Sequence, residues 1–301
     1  MQPQPSPDVT DLPWYRAIFT QQMFICVLTG LASGLPLYFL IQLVPAWLRS
    51  EGVGLTEIGL FALVGFPYNW KFVWAPLMDR YVPPFLGRRR GWMLITQIAL
   101  MLSMAALGFI DPTMSVGLVA YVAAGVAFFS ASQDVVLDAY RRELLKDEEL
   151  GLGNAIHVQA YRLAGLVPGS LGVIMGDYFP WSTVFMVMAG FMLIGVAMTF
   201  WVSEAGDDSA APLTLRAAVV EPFKEFVQRN GLGSALWLLT FLFLYKLGDN
   251  MATALSSPFY LDIGFSLTEI GTIGKTASLT AAIIGGLVGG VIMIRLGINR
   301  A

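Results

Sequence analysis

Leu55-Thr56-Glu57-Ile58-Gly59 heads one apolar stretch of this chain, and Leu267-Thr268-Glu269-Ile270-Gly271 heads another, 212 residues later. At typical residue frequencies, one such five-residue identity arises by chance with a probability of about a tenth. The surroundings agree as well. Pro45 precedes Glu57 by 12 residues and Pro258 precedes Glu269 by 11, and the stretches that follow end at Arg80 and at Arg295. The two copies mark equivalent points of a repeated unit, so the next question is how many membrane-length segments lie between them.

A helix rising about 1.5 Å per residue needs roughly 20 apolar residues to cross the hydrocarbon core. By that measure the sequence predicts eight spans: 17–48, 58–77, 91–110, 112–133, 151–176, 178–203, 232–261 and 270–294. The fourth continues its helical pattern through Asp134 and Asp138. Six spans therefore separate the two copies of the motif, which places both on the same face of the membrane. That is a parallel repeat of six-helix units. The expected organisation is a cytosolic tail (1–16), a six-helix bundle (17–203), a loop (204–233) and the first two helices of a second bundle (234–301). In the loop, Leu213, Leu215, Val219, Val220, Phe223, Phe226 and Val227 alternate with charged residues at helical spacing, the pattern of an amphipathic surface helix.

Composition agrees. Of 301 residues, 56% are hydrophobic and 13% charged, about half the charged share of an average soluble domain. Alternate loops differ sharply in sign. One side holds thirteen of the 18 Lys and Arg residues and the other holds only Arg49, the remaining four lying inside spans. Cytoplasmic loops carry the Lys and Arg excess, so both termini and the long loop are expected in the cytosol. The formal net charge of -3 and the scattered basic residues argue against a nucleic-acid partner. The single cysteine, Cys26, leaves no disulfide framework and no zinc-type ligand set. Gly285-Gly286-Leu287-Val288-Gly289-Gly290 has no following Lys-Ser/Thr and lies in span eight, so it reads as a helix contact and not a phosphate loop.

Charge inside the bilayer is costly, by at least about 2.5 kcal/mol at mid-depth, and marks function or pairing. The set is Lys71, Asp134, Asp138, Arg162, Lys246, Asp249 and Lys275, with His157 as the one histidine. Four cations against three anions leave the interior slightly positive, which suits an anionic solute. Lys246 and Asp249 are three apart and can pair on one helix face. Asp134 is expected deep enough for proton or substrate contact. Arg162 cannot deprotonate in practice and is an anion clamp. His157 reads more naturally as a hydrogen-bonded packing residue. Asp138 and Arg141, with Asp79, Arg80, Arg88 and the following arginines, form an expected charge clasp between the loop after span two and span four. Gly30, Gly34 and Pro36 allow close helix approach and a local break in span one.

Lys71-Phe72-Val73-Trp74-Ala75-Pro76-Leu77-Met78-Asp79-Arg80-Tyr81, continuing Pro83-Pro84-Phe85-Leu86-Gly87-Arg88-Arg89-Arg90-Gly91-Trp92, resembles the loop two-three signature of the AmpG-type muropeptide permeases of the major facilitator superfamily. So do Ser130-Ala131-Ser132-Gln133-Asp134 with Asp138-Ala139-Tyr140, Tyr161-Arg162-Leu163 with Gly165, and Tyr245-Lys246-Leu247-Gly248-Asp249. The resemblance covers the chain from Gly30 onward. It implies an all-α major facilitator fold and import of anhydro-muropeptides from periplasm to cytosol with protons. It also implies a place in peptidoglycan recycling and, indirectly, in β-lactamase induction. The driving force would be the proton motive force with no cofactor, in a multi-pass protein of the bacterial inner membrane that works as a monomer. The family's cavity motifs fall on Gln133, Asp134, Arg162, Lys246 and Asp249, with Lys71 and Lys275 as further interior cations. Members of the family continue through a complete second bundle, so the expectation is that the 301-residue chain inserts without concentrating solute on its own.

Three other readings compete. A facilitator for another anion or a sugar would be separated by substrate competition. A membrane sensor would need a sizeable output domain, and the longest segment outside the spans is about thirty residues. An intramembrane enzyme would need a paired acid or a nucleophile and base at shared depth, and the candidates are scattered.

Overall fold

In a computed structural model of the chain, the described residues are 18–54, 57–58, 61–205, 221, 224–229, 231–245 and 275–296. The chain divides into two compact units, Met1–Ala211 with Gly286–Ala301, and Pro212–Gly285. Every described element is helical.

In the first unit, α1 (Gln21–Tyr38), a π-helical turn (Phe39–Leu43) and α2 (Val44–Ser50) run on as one 30-residue apolar segment. Thr20 caps its start by accepting from the Met23 N–H at 3.3 Å. Pro36 lies inside the helix and lacks the N–H that the ladder requires, and the π turn follows three residues later. Among the described residues three more segments are long and apolar enough to cross a membrane: α5 (Arg88–Leu107), α6 (Val116–Leu144), and α9 (Trp181–Phe191) running on into α10 (Leu193–Trp201).

Spans two and five are interrupted more strongly than span one. Span two breaks into a 3₁₀ turn (Phe61–Gly65), α3 (Phe66–Trp70), a second 3₁₀ turn (Lys71–Val73) and α4 (Ala75–Arg80). Pro67 and Pro76 explain the breaks, because each sits in the first turn of a new helix, where a missing N–H costs nothing. Span five divides into α7 (Leu150–Ala164), a π turn (Val167–Gly172) and α8 (Val173–Tyr178), with Pro168 in the π turn. Apolarity alone could not foresee these interruptions.

Helices in lipid associate by close packing more than by hydrophobic burial. A Cβ at Gly30 would meet the His157 carbonyl oxygen and the Ala160 side chain, and one at Gly34 would meet the Tyr161 carbonyl and Ala164. α1 and α7 are therefore in backbone contact through a Gly-x-x-x-Gly face. The close approach and the local break expected for span one are both present. The largest cluster joins Leu35, Phe39, Leu43 and Trp47 to Leu100, Met104, Val126, Phe185 and Met188. Phe185 meets Phe39 and Trp47 edge to face, with centroids 5.1 and 4.8 Å apart. Near the arginine-rich end a second cluster packs Met78, Met93, Leu137, Tyr140 and Met198. Gly290 of α12 (Lys275–Leu296) lies 3.2 Å, measured from an added Cβ, from Leu152 and Ala155, which fits the helix-contact reading of the glycine-rich stretch.

In the second unit, α11 (Leu232–Tyr245) is a short apolar helix with mostly exposed side chains. Of the expected surface helix, only 221 and 224–229 are described, and they are helical. The second copy of the motif, 267–271, lies outside the described residues, as do 55, 56 and 59 of the first.

Candidate functional site

α6 carries the chemistry because polar residues recur along it at helical spacing. Tyr68 donates to Ser130 at 2.7 Å and the Trp74 indole donates to Ser132 at 2.9 Å, tying the broken span two to α6. One turn on, Gln133 Nε2 donates to the Ala32 carbonyl at 2.8 Å and Ser33 Oγ donates to Asp134 Oδ1 at 2.5 Å. Two neighbouring residues of α6 thus grip two neighbouring residues of α1.

Gln133 and Asp134 then part company, since adjacent helix positions point about 100° apart. Gln133 is fully buried between the helices, its Oε1 without a partner among the described residues. It does not line the cleft, and its expected place beside the solute is corrected to a packing position. Asp134 does line the cleft. With Ser33, Tyr38, Asp138, Arg141, Asn154, His157, Val158, Tyr161 and Arg162 it encloses about 390 Å³, within the usual range for small-molecule sites.

Four residues past Asp134, and roughly 6 Å along the axis, Asp138 meets Arg141 Nη2 at 2.5 Å and Lys71 Nζ at 3.9 Å. Arg141 Nη1 reaches Asn154 Oδ1 at 3.3 Å. Arg162 is exposed on the cleft and has no ion pair among the described residues. His157 is buried, its Nδ1 3.1 Å from the Thr29 hydroxyl, which also donates to the Cys26 carbonyl at 3.0 Å. Lys246 and Asp249 lie outside the described residues, and Lys275 opens α12.

The charge clasp forms, with a different membership. Arg89 Nη1 meets Asp79 at 2.6 Å, while its Nε and Nη2 meet Glu143 at 3.1 and 2.6 Å. Arg88 Nη2 also reaches Glu143, at 3.2 Å. The Glu204 carboxylate then accepts from the backbone N–H groups of Arg89 at 2.7 Å and Arg90 at 3.1 Å, a capping interaction at the start of α5. Asp138 and Arg141 belong to the cleft and not to the clasp. Asp138 lies five residues before Glu143, about 7.5 Å higher and about 140° around the helix, so the two carboxylates cannot serve one site. Arg80 is not part of the clasp either, its guanidinium lying 5.8 Å from the centre of the Tyr81 ring. Sequence reading included Arg89 among the arginines of the clasp but missed Glu143 and Glu204. The signal for Glu143 was there, as the carboxylate nearest the arginine-rich end of span four.

Among the described residues no group of three or more His, Cys, Asp or Glu side chains converges on a metal site. The arrangement is suited to holding and releasing charged groups.

Known proteins are similar to this chain in sequence. Residues 26–301 match the family described as the Major Facilitator Superfamily. An uncharacterized protein of Haemophilus influenzae Rd is 48% identical over 286 residues, 94% of this chain and 67% of that protein. The anhydromuropeptide permease of Escherichia coli K12 is 43% identical over 290 residues, 95% of this chain and 58% of the permease, so the chain spans less than two thirds of that relative's length. A Rickettsia prowazekii protein designated AmpG 3 is 32% identical over 284 residues, 90% of this chain and 67% of its own. With its apolar helices and these relatives, the chain is a multi-pass membrane protein that belongs to the major facilitator superfamily, in its AmpG-type branch.

Proposed function

We propose that the protein imports anhydro-muropeptides from periplasm to cytosol across the bacterial inner membrane, coupled to protons, with both termini cytosolic. The observation that carries this reading is the cleft on α1, α6 and α7, which pairs a carboxylate gripped by a serine, Asp134, with an uncommitted cation, Arg162. A muropeptide carries sugar hydroxyls and several carboxylates. Arg162 supplies the fixed positive charge for a carboxylate, and the hydroxyls of Tyr38 and Tyr161 and the Asn154 amide supply neutral partners for the rest. Asp134 is the proton-handling group. When ionised it accepts from Ser33, and when protonated it can donate to a ligand oxygen. Lys71 adds a cation beside Asp138, Lys246, Asp249 and Lys275 are further candidate residues for solute or proton contact, and the Arg89 clasp holds one end of the bundle until the halves rock. The protein performs no covalent chemistry, and the proton motive force replaces a cofactor.

The test is uptake of radiolabelled anhydro-muropeptide by cells that lack their own permease and express the reading frame encoding this chain. Accumulation should collapse on adding a protonophore and should fall at least about tenfold in Asp134→Asn, with membrane abundance unchanged. Uptake by Asp134→Asn equal to wild type from pH 5.5 to 8 would remove Asp134 from the mechanism. Uptake of simple sugars in place of muropeptide would overturn the substrate.

A further inference from the structure

We infer that Asp138 is a resident counter-ion that a carboxylate of the incoming solute displaces from Arg141, which makes Arg141, with Lys71, the receptor for an acidic group of the ligand. The inference rests on reading the cleft as the substrate site and adds which of its ion pairs must open.

The pair is lopsided. The Arg141 side chain is 11% exposed and that of Asp138 is 53% exposed. The cation is thus already held by the protein, while its partner is half in the cleft. Their contact uses one guanidinium nitrogen, Nη2, and one oxygen, Oδ1, and the second oxygen of Asp138 lies 3.9 Å from Lys71. Nε of Arg141 is buried and has no hydrogen-bond partner among the described residues. A guanidinium offers its strongest grip along the edge shared by Nε and one terminal nitrogen, where a carboxylate accepts two parallel bonds. In Arg141 that edge is half used.

An intramolecular aspartate is tethered to the same helix three residues away, and its register limits the approach. A ligand carboxylate has no such tether. It can take both Nε and Nη2 while Asp138 swings into the water it already touches. One carboxylate replaces another at the guanidinium, so Arg141 stays paired through the exchange and no buried cation is left bare. Asp134 cannot be displaced in the same way, because it accepts from Ser33 and pairs with no cation in the cleft. The two aspartates therefore divide the work, Asp134 for the proton and Asp138 for the vacancy that the ligand fills.

The test is calorimetric titration of the purified full chain in lipid nanodiscs with two probes, an anhydro-muramyl tripeptide and the same compound with its carboxylates amidated. Wild type should bind the acid at least about tenfold more tightly than the amide, and Asp138→Asn, which no longer competes for Arg141, should widen that acid-over-amide preference by about another tenfold through tighter acid binding. Asp138→Glu should restore wild-type affinities, and matched thermal unfolding of the three proteins controls for folding. If Asp138→Asn binds the acid no better than wild type, the inference falls and the substrate site stands. If wild type binds acid and amide equally, Arg141 is no acid receptor. If wild type binds neither probe, the reading of the cleft as a muropeptide site falls, and this inference with it.

Discussion

Arg89 and Arg141 are two nearly equally buried arginines, 8% and 11% exposed, that face different carboxylates of the same helix. Arg89 engages Asp79 and Glu143 through Nε, Nη1 and Nη2, and its own backbone N–H is held by Glu204. Arg141 engages Asp138 through one nitrogen and Asn154 through another, and leaves Nε unused. Burying a charge is costly unless its hydrogen bonds are completed. The protein completes them at Arg89 and leaves them incomplete at Arg141. A saturated arginine holds structure, while an unsaturated one retains capacity for a ligand.

Breaking the saturated side should cost most. Arg89→Ala removes the cation shared by Asp79 and Glu143, leaving Asp79 without its ion pair and Glu143 with Arg88 alone, so it should destabilise the first unit by about 3 kcal/mol. Reversible unfolding in mixed micelles measures this, and an effect under 1 kcal/mol would mean that the clasp is solvated in solution. Next is Glu204→Gln, which keeps an acceptor for the Arg89 and Arg90 N–H groups but removes the negative charge from the start of α5. It should cost about 1 kcal/mol, and less at high salt. Smallest is Asp138→Asn. Its carboxylate is more than half exposed, and exposed pairs contribute about 0.5 kcal/mol, so stability should hardly change even where ligand affinity does. A loss as large as that for Arg89→Ala would erase the distinction between the two sites.

Several parts of this arrangement were legible in the sequence. Asp134, Asp138 and Arg141 could be placed on neighbouring faces of one helix because α-helical geometry is local and repeats every 3.6 residues. His157 was read as a hydrogen-bonded packing residue, and it is buried with Nδ1 beside the Thr29 hydroxyl; Gly30 and Gly34 were read separately as a site of close helix approach. The partner of Arg89 was not legible. Asp138 and Glu143 are chemically alike and five residues apart, and which one meets the arginine depends on how α6 is rotated against α5. Glu204 was also out of reach, because it comes 115 residues after the N–H group it caps. The family resemblance implied a cavity position for Gln133, yet a single 100° step from Asp134 turns it into the packed interior.

The sequence by itself determined the class of protein, through apolar stretches long enough to span a bilayer and basic residues gathered in alternate loops. These signals are carried by single segments and need no knowledge of contacts. The five-residue identity and the charged residues within apolar stretches are read from single segments in the same way. Only the tertiary structure decided where spans two and five break, which arginine is saturated, and that Asp134, Asp138, Arg141 and Arg162 share one cleft. Those outcomes depend on the rotation and depth of one helix against another. Such relations are settled by packing between residues far apart in the chain, and no local pattern encodes them.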